Sequence, residues 1–281
     1  MSSAELDALI AAALAEDVGS GDRTSEWTVP GSAQGEAVVV AKQPLVVAGT
    51  DAARRVFAAV DPRLVVTPVL RDGAVAGAEA LVLEVRGPLG PLLTAERTAL
   101  NFLGRLSGIA TLTRAFVTAV RGTAARVVDT RKTTPGWRAL EKAAVRAGAG
   151  TNHRMGLFDM VLIKDNHIAA AGGVQAALDA VRRANVDGLP VEIEVTSLEQ
   201  LEEALAAAPE RILLDNMTVP EMRRAVERVA GLGPGRPQLE ASGNVSLDTV
   251  RAIAETGVDF VSVGALTHSA PVADLSLRVR A

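Results

Sequence analysis

The sequence predicts an α/β protein in two parts: a mixed α+β region over roughly the first hundred residues, then a series of strand–helix units. Three observations carry this. From Arg126 onward, short apolar runs alternate with helical stretches, the pattern of parallel strands with crossover helices. Each of those apolar runs turns polar at its C-terminal end, where barrels and open α/β sheets place their chemistry. With 281 residues, 48% of them hydrophobic and 22% charged, the chain can bury a substantial core.

In chain order, Leu6 to Ala15 reads as an apolar helix and Asp17 to Thr24 as a Gly/Asp-rich turn. Ala37–Ala41 and Leu45–Ala48 look like strands, and Thr50–Val60 looks helical. Leu64–Leu70 and Ala80–Val85 are β-rich and separated by the turn signals Arg71-Asp72-Gly73 and Gly77. Thr94 to Arg121 has long helical periodicity, with a break expected near Gly108. Six strands follow, at Arg126–Thr130, Met160–Lys164, Val191–Val195, Arg211–Leu214, Gln238–Ala241 and Phe260–Val263. Helices are expected at Trp137–Arg146, Val174–Asn185, Leu198–Ala207, Val219–Val229 and Leu247–Glu255. Ser197…Gln200 and Thr218…Glu221 read as capping boxes. A full barrel has eight strands, so an incomplete barrel and a complete one with hidden strands both fit.

Composition excludes several classes. With 29 basic and 33 acidic residues the formal charge is −4, which gives no bias toward nucleic acid or acidic membranes. Aromatic residues are 2% and Tyr is absent, against a base-stacking platform. There is no Cys, hence no disulfide, thiolate zinc site, iron–sulfur cluster or cysteine nucleophile. No apolar run approaches the roughly 18 residues of a membrane helix. Met1 to Asp17 lacks a basic start and carries Glu5, Asp7, Glu16 and Asp17, so a cytoplasmic location is expected. The P-loop, HExxH and GxSxG patterns are absent, as is the paired-acid diphosphate loop of Rossmann-like phosphoribosyltransferases.

Charge is nonetheless concentrated. Between Arg131 and Lys164 lie seven basic residues against Glu141 and Asp159 alone. Three of the chain's four Lys are among them. Such a segment suits a small polyanion. Arg131 and Lys132 end the first strand of the series, one a fork for carboxylates and the other a point charge for phosphate. His153 and Arg154 sit in a Gly-rich loop, and Lys164 ends an apolar strand. That Lys suits an anion site, or a Schiff base of the kind barrel aldolases use. Glu194 and Asp215 end consecutive strands, fitting ribose hydroxyls, Mg²⁺ held with substrate phosphates, or ion pairs with Arg131 or Lys164. Ser242-Gly243-Asn244 and Gly264-Ala265 close the last two strands, where barrels often bind phosphate through backbone N–H groups.

These pieces together resemble the quinolinate phosphoribosyltransferase family. The matching strings begin with Glu16-Asp17-Val18-Gly19-Ser20-Gly21-Asp22-Arg23-Thr24 and Glu96-Arg97-Thr98-Ala99-Leu100-Asn101-Phe102-Leu103. They continue with Ser107-Gly108-Ile109-Ala110-Thr111, Asp129-Thr130-Arg131-Lys132-Thr133-Thr134-Pro135-Gly136 and Asn152-His153-Arg154. The last are Leu162-Ile163-Lys164-Asp165-Asn166-His167, Leu214-Asp215-Asn216-Met217, Glu240-Ala241-Ser242-Gly243 and Ser262-Val263-Gly264-Ala265-Leu266-Thr267-His268-Ser269. Two positions depart from the family pattern: Ala149 where a third loop Gly is usual, and Asn244 where Gly usually follows Ser-Gly.

The resemblance implies an N-terminal α+β open-faced sandwich over residues 1–108 and an incomplete, about seven-stranded α/β barrel over 109–281, with the tail 267–281 returning to the first domain. It implies phosphoribosyl transfer from phosphoribosyl pyrophosphate to quinolinate with decarboxylation, a step of NAD biosynthesis. Quinolinate would be bound by Arg131, Arg154 and Lys164, with Thr130 and His153 nearby and Arg97 arriving from a second subunit. Lys132, Glu194 and Asp215 would serve phosphoribosyl pyrophosphate, the two acids also holding Mg²⁺. The 5′-phosphate would lie by Ser242, Gly243, Asn244, Gly264 and Ala265. Lys132, Lys164, Glu194 and Asp215 are the expected catalytic set, in a homodimer with shared sites or a higher oligomer. A paralogous family of the same fold, associated with molybdenum transport, is the alternative; the full Arg131–Gly136 and Asn152–Arg154 strings favour the quinolinate enzyme.

Overall fold

The computed structural model describes residues 2–280. Contacts divide the chain into two compact units: residues 1–114, 133–149 and 266–281 form the first, and 115–132 with 150–265 the second. Among the described residues no helix is long and apolar enough to cross a membrane.

The first unit opens with α1 (Ser3–Val18), begun by a capping box in which Ser2 and Glu5 satisfy each other's N–H groups. The expected turn after Asp17 is shorter than predicted. Asp22 accepts from Ser25 N at 3.0 Å and caps a further helix, α2 (Arg23–Thr28). Then come β1 (Gln34–Ala41), β2 (Leu45–Val46), α3 (Thr50–Val60), β3 (Val65–Pro68), β4 (Val75–Ala76) and β5 (Leu81–Pro88). β4 was hidden in the turn-rich stretch between Arg71 and Gly77; at two residues it pairs only with β2.

The helix α4 spans Leu89–Ala119 without interruption. The break expected at Gly108 is absent, because this glycine serves packing. A Cβ there would lie 2.0 Å from the carbonyl oxygen of Pro271, so only a bare Cα lets the tail run against the helix. α5 (Arg138–Ala147) also belongs to this unit. The Trp137 ring before it stacks on Phe102, with centroids 4.5 Å apart. The tail ends in β12 (Leu275–Arg280), which completes an antiparallel sheet of order β12-β1-β5-β3. Val39, Val85, Phe57, Leu92 and Phe102 meet in one core between this sheet and its helices.

The second unit is a parallel sheet with crossover helices. Its strands are β6 (Arg126–Val128), β7 (Val161–Ile163), β8 (Val191–Val195), β9 (Arg211–Asp215), β10 (Gln238–Ser242) and β11 (Phe260–Ser262). The helices are α6 (Asp165–Ala171), α7 (Val174–Ala184), α8 (Leu198–Ala206), α9 (Val219–Ala230) and α10 (Val250–Ala254); α11 (Ala265–His268) follows β11 and from Leu266 onward belongs to the first unit. The strand order is β6-β11-β10-β9-β8-β7, an open barrel of six strands. A single bridge between Val128 and Thr151 adds a rudimentary further strand beside β6. Thr218 and Glu221 form the expected capping box of α9. At α8, Ser197 caps Gln200 N, but Gln200 reaches back to Thr196 N at 2.8 Å, one residue earlier than the motif requires.

Candidate active site

Apart from His153 and Arg154, the expected site residues of the second unit stand at or just beyond the C-terminal ends of its strands. Thr130, Arg131 and Lys132 follow β6, Lys164 follows β7, Glu194 lies near the end of β8, and Asp215 ends β9. Ser242 ends β10, with Gly243 and Asn244 beyond it, and Gly264 and Ala265 follow β11. A parallel sheet makes this inevitable: every strand emerges on the same side, so residues as far apart in the chain as Thr130 and Ala265 gather at one rim.

The segment carrying His153 and Arg154 is tied to β6 by a residue that the sequence reading did not weigh for chemistry. Asp129 is fully buried; its carboxylate accepts from Asn152 Nδ2 at 2.6 Å and from the His153 backbone N–H at 2.8 Å. Arg154 is only 8% exposed, and its Nη1 donates to the Met160 carbonyl at 3.1 Å. Burial, and after it the like charge of Arg131, hold the Arg154 pKa below the ordinary Arg value. Two guanidiniums thus share one poorly solvated place.

At the next rim position Lys164 Nζ donates to Glu194 Oε2 at 2.7 Å. Of the openings left for Glu194, an ion pair with Lys164 is the one observed. The Lys164 side chain is 47% exposed while Glu194 is nearly buried, so the ammonium sits at the mouth and the carboxylate below it. Asp215 accepts from Asn216 Nδ2 at 2.9 Å. Glu194 and Asp215 end adjacent strands and offer hard oxygen donors, too few for a closed cage. That set fits Mg²⁺, which keeps waters and substrate oxygens in its shell.

The β9 and β10 ends interlock. The Asn216 N–H donates to the Ser242 carbonyl at 2.9 Å, and a Cβ on Gly243 would meet Asn216 Oδ1 at 2.2 Å. Gly243 therefore lets two loops approach closely. Asn244 has φ +48° and Ala149 has φ +69°. Both departures from the family's glycines keep a glycine-like backbone. Asn tolerates this conformation; Ala has no side-chain hydrogen bond to offset it. Arg97 stands exposed on α4, in the first unit.

Below the rim lies a buried array that the sequence reading missed. Glu192 and Glu240, 0% and 1% exposed, approach His153 Nε2 at 2.8 and 3.6 Å. Arg211 binds Glu240 at 3.0 Å and lies over the Phe260 ring, 4.0 Å from its centroid. Burial opposes a charged His153, but the Glu192 hydrogen bond and the Glu240 charge outweigh it and raise its pKa. Burial beside Glu192 pushes the Glu240 carboxyl up to about 7. The signal was legible: Val191-Glu192-Ile193-Glu194-Val195 alternates, placing both acids on one face of the strand.

Two family models cover almost the whole chain: quinolinate phosphoribosyl transferase, N-terminal domain, over residues 22–107, and the C-terminal domain of the same enzyme over 109–278. The nicotinate-nucleotide pyrophosphorylase [carboxylating] of Mycobacterium leprae is 48% identical over 284 residues, 99% of each chain. Quinolinate phosphoribosyltransferase [decarboxylating] 1b of Nicotiana tabacum is 43% identical over 290 residues, 98% of this chain and 82% of the relative. The solved nicotinate-nucleotide pyrophosphorylase from Francisella tularensis superposes with a TM-score of 0.94 at 38% identity, covering 100% of this chain and 98% of that one. Both domain types, in order and nearly abutting on one chain with relatives that align end to end, make this protein a member of the quinolinate phosphoribosyl transferase family.

Proposed function

We propose that the protein transfers the phosphoribosyl group of phosphoribosyl pyrophosphate to quinolinate and releases CO₂, giving nicotinate mononucleotide and pyrophosphate. Family membership supports the reaction class, and one observation carries the substrate: Arg154 is buried with the charge of Arg131 close enough to depress its pKa. The charges of Glu192 and Asp159 act the other way, yet burial and the like charge leave the Arg154 pKa lowered, and a dicarboxylate matches two guanidinium forks.

In this reading Arg131, Arg154 and Lys164 grip the two carboxylates, with Thr130 and His153 beside them. Lys132 meets the pyrophosphate. Backbone N–H groups at Ser242, Gly243, Asn244, Gly264 and Ala265 receive the 5′-phosphate. Glu194 and Asp215 orient the ribose hydroxyls and stabilise the cationic sugar as the bond to pyrophosphate breaks. They would also hold Mg²⁺, whose charge when bound offsets that of the leaving pyrophosphate. The pyridine nitrogen supplies the electron pair for the new bond to ribose C1, so no protein nucleophile is required. The resulting pyridinium accepts the electrons of the bond to the C2 carboxylate as CO₂ departs, and the C2 carbanion takes a proton. The protein acts by positioning and electrostatics.

Two further elements belong to the proposal. The exposed Arg97 completes the quinolinate site of a partner subunit in a homodimer with two shared sites. A polyphosphate substrate does not cross membranes, which supports a cytoplasmic location. The test is conversion of quinolinate to nicotinate mononucleotide and CO₂ by purified protein with phosphoribosyl pyrophosphate and Mg²⁺. Nicotinate, with one carboxylate, forfeits a charge-assisted contact worth about 2–5 kcal/mol, so quinolinate should be preferred at least about 30-fold in kcat/KM. Equal rates with both acids would remove the substrate assignment.

A further inference from the structure

We infer that Glu192 is a positioning residue for the anion site: from inside the barrel it locks the His153 ring, and the ring in turn locks the backbone of Arg154. The inference rests on the quinolinate reading above and adds a residue that this reading does not use.

The geometry forms a chain of contacts. Glu192 lies one pleat below Glu194 on β8, on the same face but fully buried. His153 Nε2 stands 2.8 Å from Glu192 Oε2. The other ring nitrogen, Nδ1, accepts the backbone N–H of Arg154 at 2.7 Å. An accepting Nδ1 carries no proton, so in the neutral ring the single proton sits on Nε2 and points at Glu192. Acceptor and donor are thereby assigned at both ends of the imidazole. The Arg154 backbone is held by the ring while its guanidinium is held by the Met160 carbonyl. A shift of the ring would move the loop that sets Arg154 against the substrate, and displacements of about 1 Å are enough to impair a site of this kind.

A purely structural role explains the array poorly. Among the described residues, Glu192 Oε1 is buried without a hydrogen-bond partner, a cost that an apolar residue would avoid. The donor atoms of His153, Glu192 and Glu240 also lie within 4.8 Å of one another, which raises the question of a metal. Arg211 argues against one: its guanidinium already holds Glu240 at 3.0 Å and supplies the positive charge there.

Two conservative variants separate reach from charge. Glu192→Asp keeps the charge but withdraws the acceptor from Nε2 by one methylene. Glu192→Gln loses the charge but keeps an acceptor at full reach. The expected result is a KM for quinolinate raised about tenfold in Glu192→Asp, a lost hydrogen bond's worth of affinity, with the KM for phosphoribosyl pyrophosphate within about twofold. Glu192→Gln should stay within about threefold of wild type for both substrates. The inference is overturned if Gln weakens quinolinate as much as Asp does, if both KM values rise together, or if Asp changes nothing. Tightly bound transition metal in the purified wild type would overturn it as well. A wild type that does not turn over quinolinate would instead remove the functional reading. Should Glu192→Asp fail to fold, ¹⁵N NMR of the wild-type histidines, recorded above the pKa of the ring, decides. Nε2–H is expected for His153, assigned with His167→Gln and His268→Gln, and Nδ1–H would overturn the inference.

Discussion

For Lys164, the contribution to stability and the proposed role in binding can be separated. Its ion pair with Glu194 is 2.7 Å long, but the Lys end is half exposed, and exposed pairs contribute little to folding. Lys164→Ala should therefore melt within a few degrees of wild type while losing most affinity for quinolinate and retaining that for phosphoribosyl pyrophosphate. Calorimetry with each ligand separately checks this; equal loss of both would contradict the proposed role. Ala149 offers a test of backbone strain. At φ +69° an L-residue with a Cβ costs roughly 1 kcal/mol relative to glycine. Ala149→Gly should raise the stability by about that amount in chemical denaturation, against the usual entropic penalty of added glycine.

At the scale of elements, α4 gives the sharpest contrast between propensity and packing. Glycine inside a helix ordinarily costs about 1 kcal/mol against alanine, so propensity alone predicts that Gly108→Ala stabilises. The Pro271 carbonyl 2.0 Å from the would-be Cβ reverses that sign. Gly108→Ala should destabilise by about 1–3 kcal/mol, measured by urea unfolding, because helix or tail must shift. The same helix carries Arg105, whose guanidinium binds the fully buried Glu141 at 2.8 Å and the carbonyl of Thr267. Glu141 also accepts from Thr134 N and Oγ1, at 3.1 and 2.8 Å. Glu141, one of two acids in the cation-rich stretch, is thus the anchor of the Thr133–Gly136 turn.

For the whole molecule, the buried acids set a pH dependence. Glu240 ordinarily titrates near 4.5 and is raised to about 7. Between those values the native protein keeps a proton that the unfolded chain has released. Stability contributed at low pH therefore declines as pH rises through that window and levels off above about 7. His153, also raised, acts with the same sign. The difference in melting temperature between wild type and Glu240→Gln should change between pH 5 and pH 8, with wild type losing more. A constant difference would contradict the shift. The proposed shared sites have a consequence at the same scale. Arg97→Ala and Lys164→Ala homodimers should each be nearly inactive, but a mixed dimer carries both defects in one site and neither in the other. After co-refolding in equal amounts, about half the dimers are mixed, so activity should return to roughly a quarter of wild type. A mixture as inactive as its parents, under conditions where wild type refolds, would exclude Arg97 from acting across subunits.

Local pattern was enough to determine the periodicity of the barrel strands, their polar C-terminal ends, the capping at Thr218 and the concentration of cations between Arg131 and Lys164. Each depends on spacing along the chain, and parallel strands turn spacing into a shared rim without further information. Sequence strings likewise sufficed for the family. Only the tertiary structure decided what depends on residues distant in sequence. Gly108 is read as a breaker until Pro271 is known to lie against it, 163 positions later. Glu192, Glu240 and Arg211 show no shared role until the sheet order brings β8, β9 and β10 side by side around His153, and Asp129 shows none until it is seen to hold Asn152 and the His153 backbone. Long-range contacts set burial, and burial sets the energy of a buried charge; neither is encoded in any window of sequence short enough to be read alone.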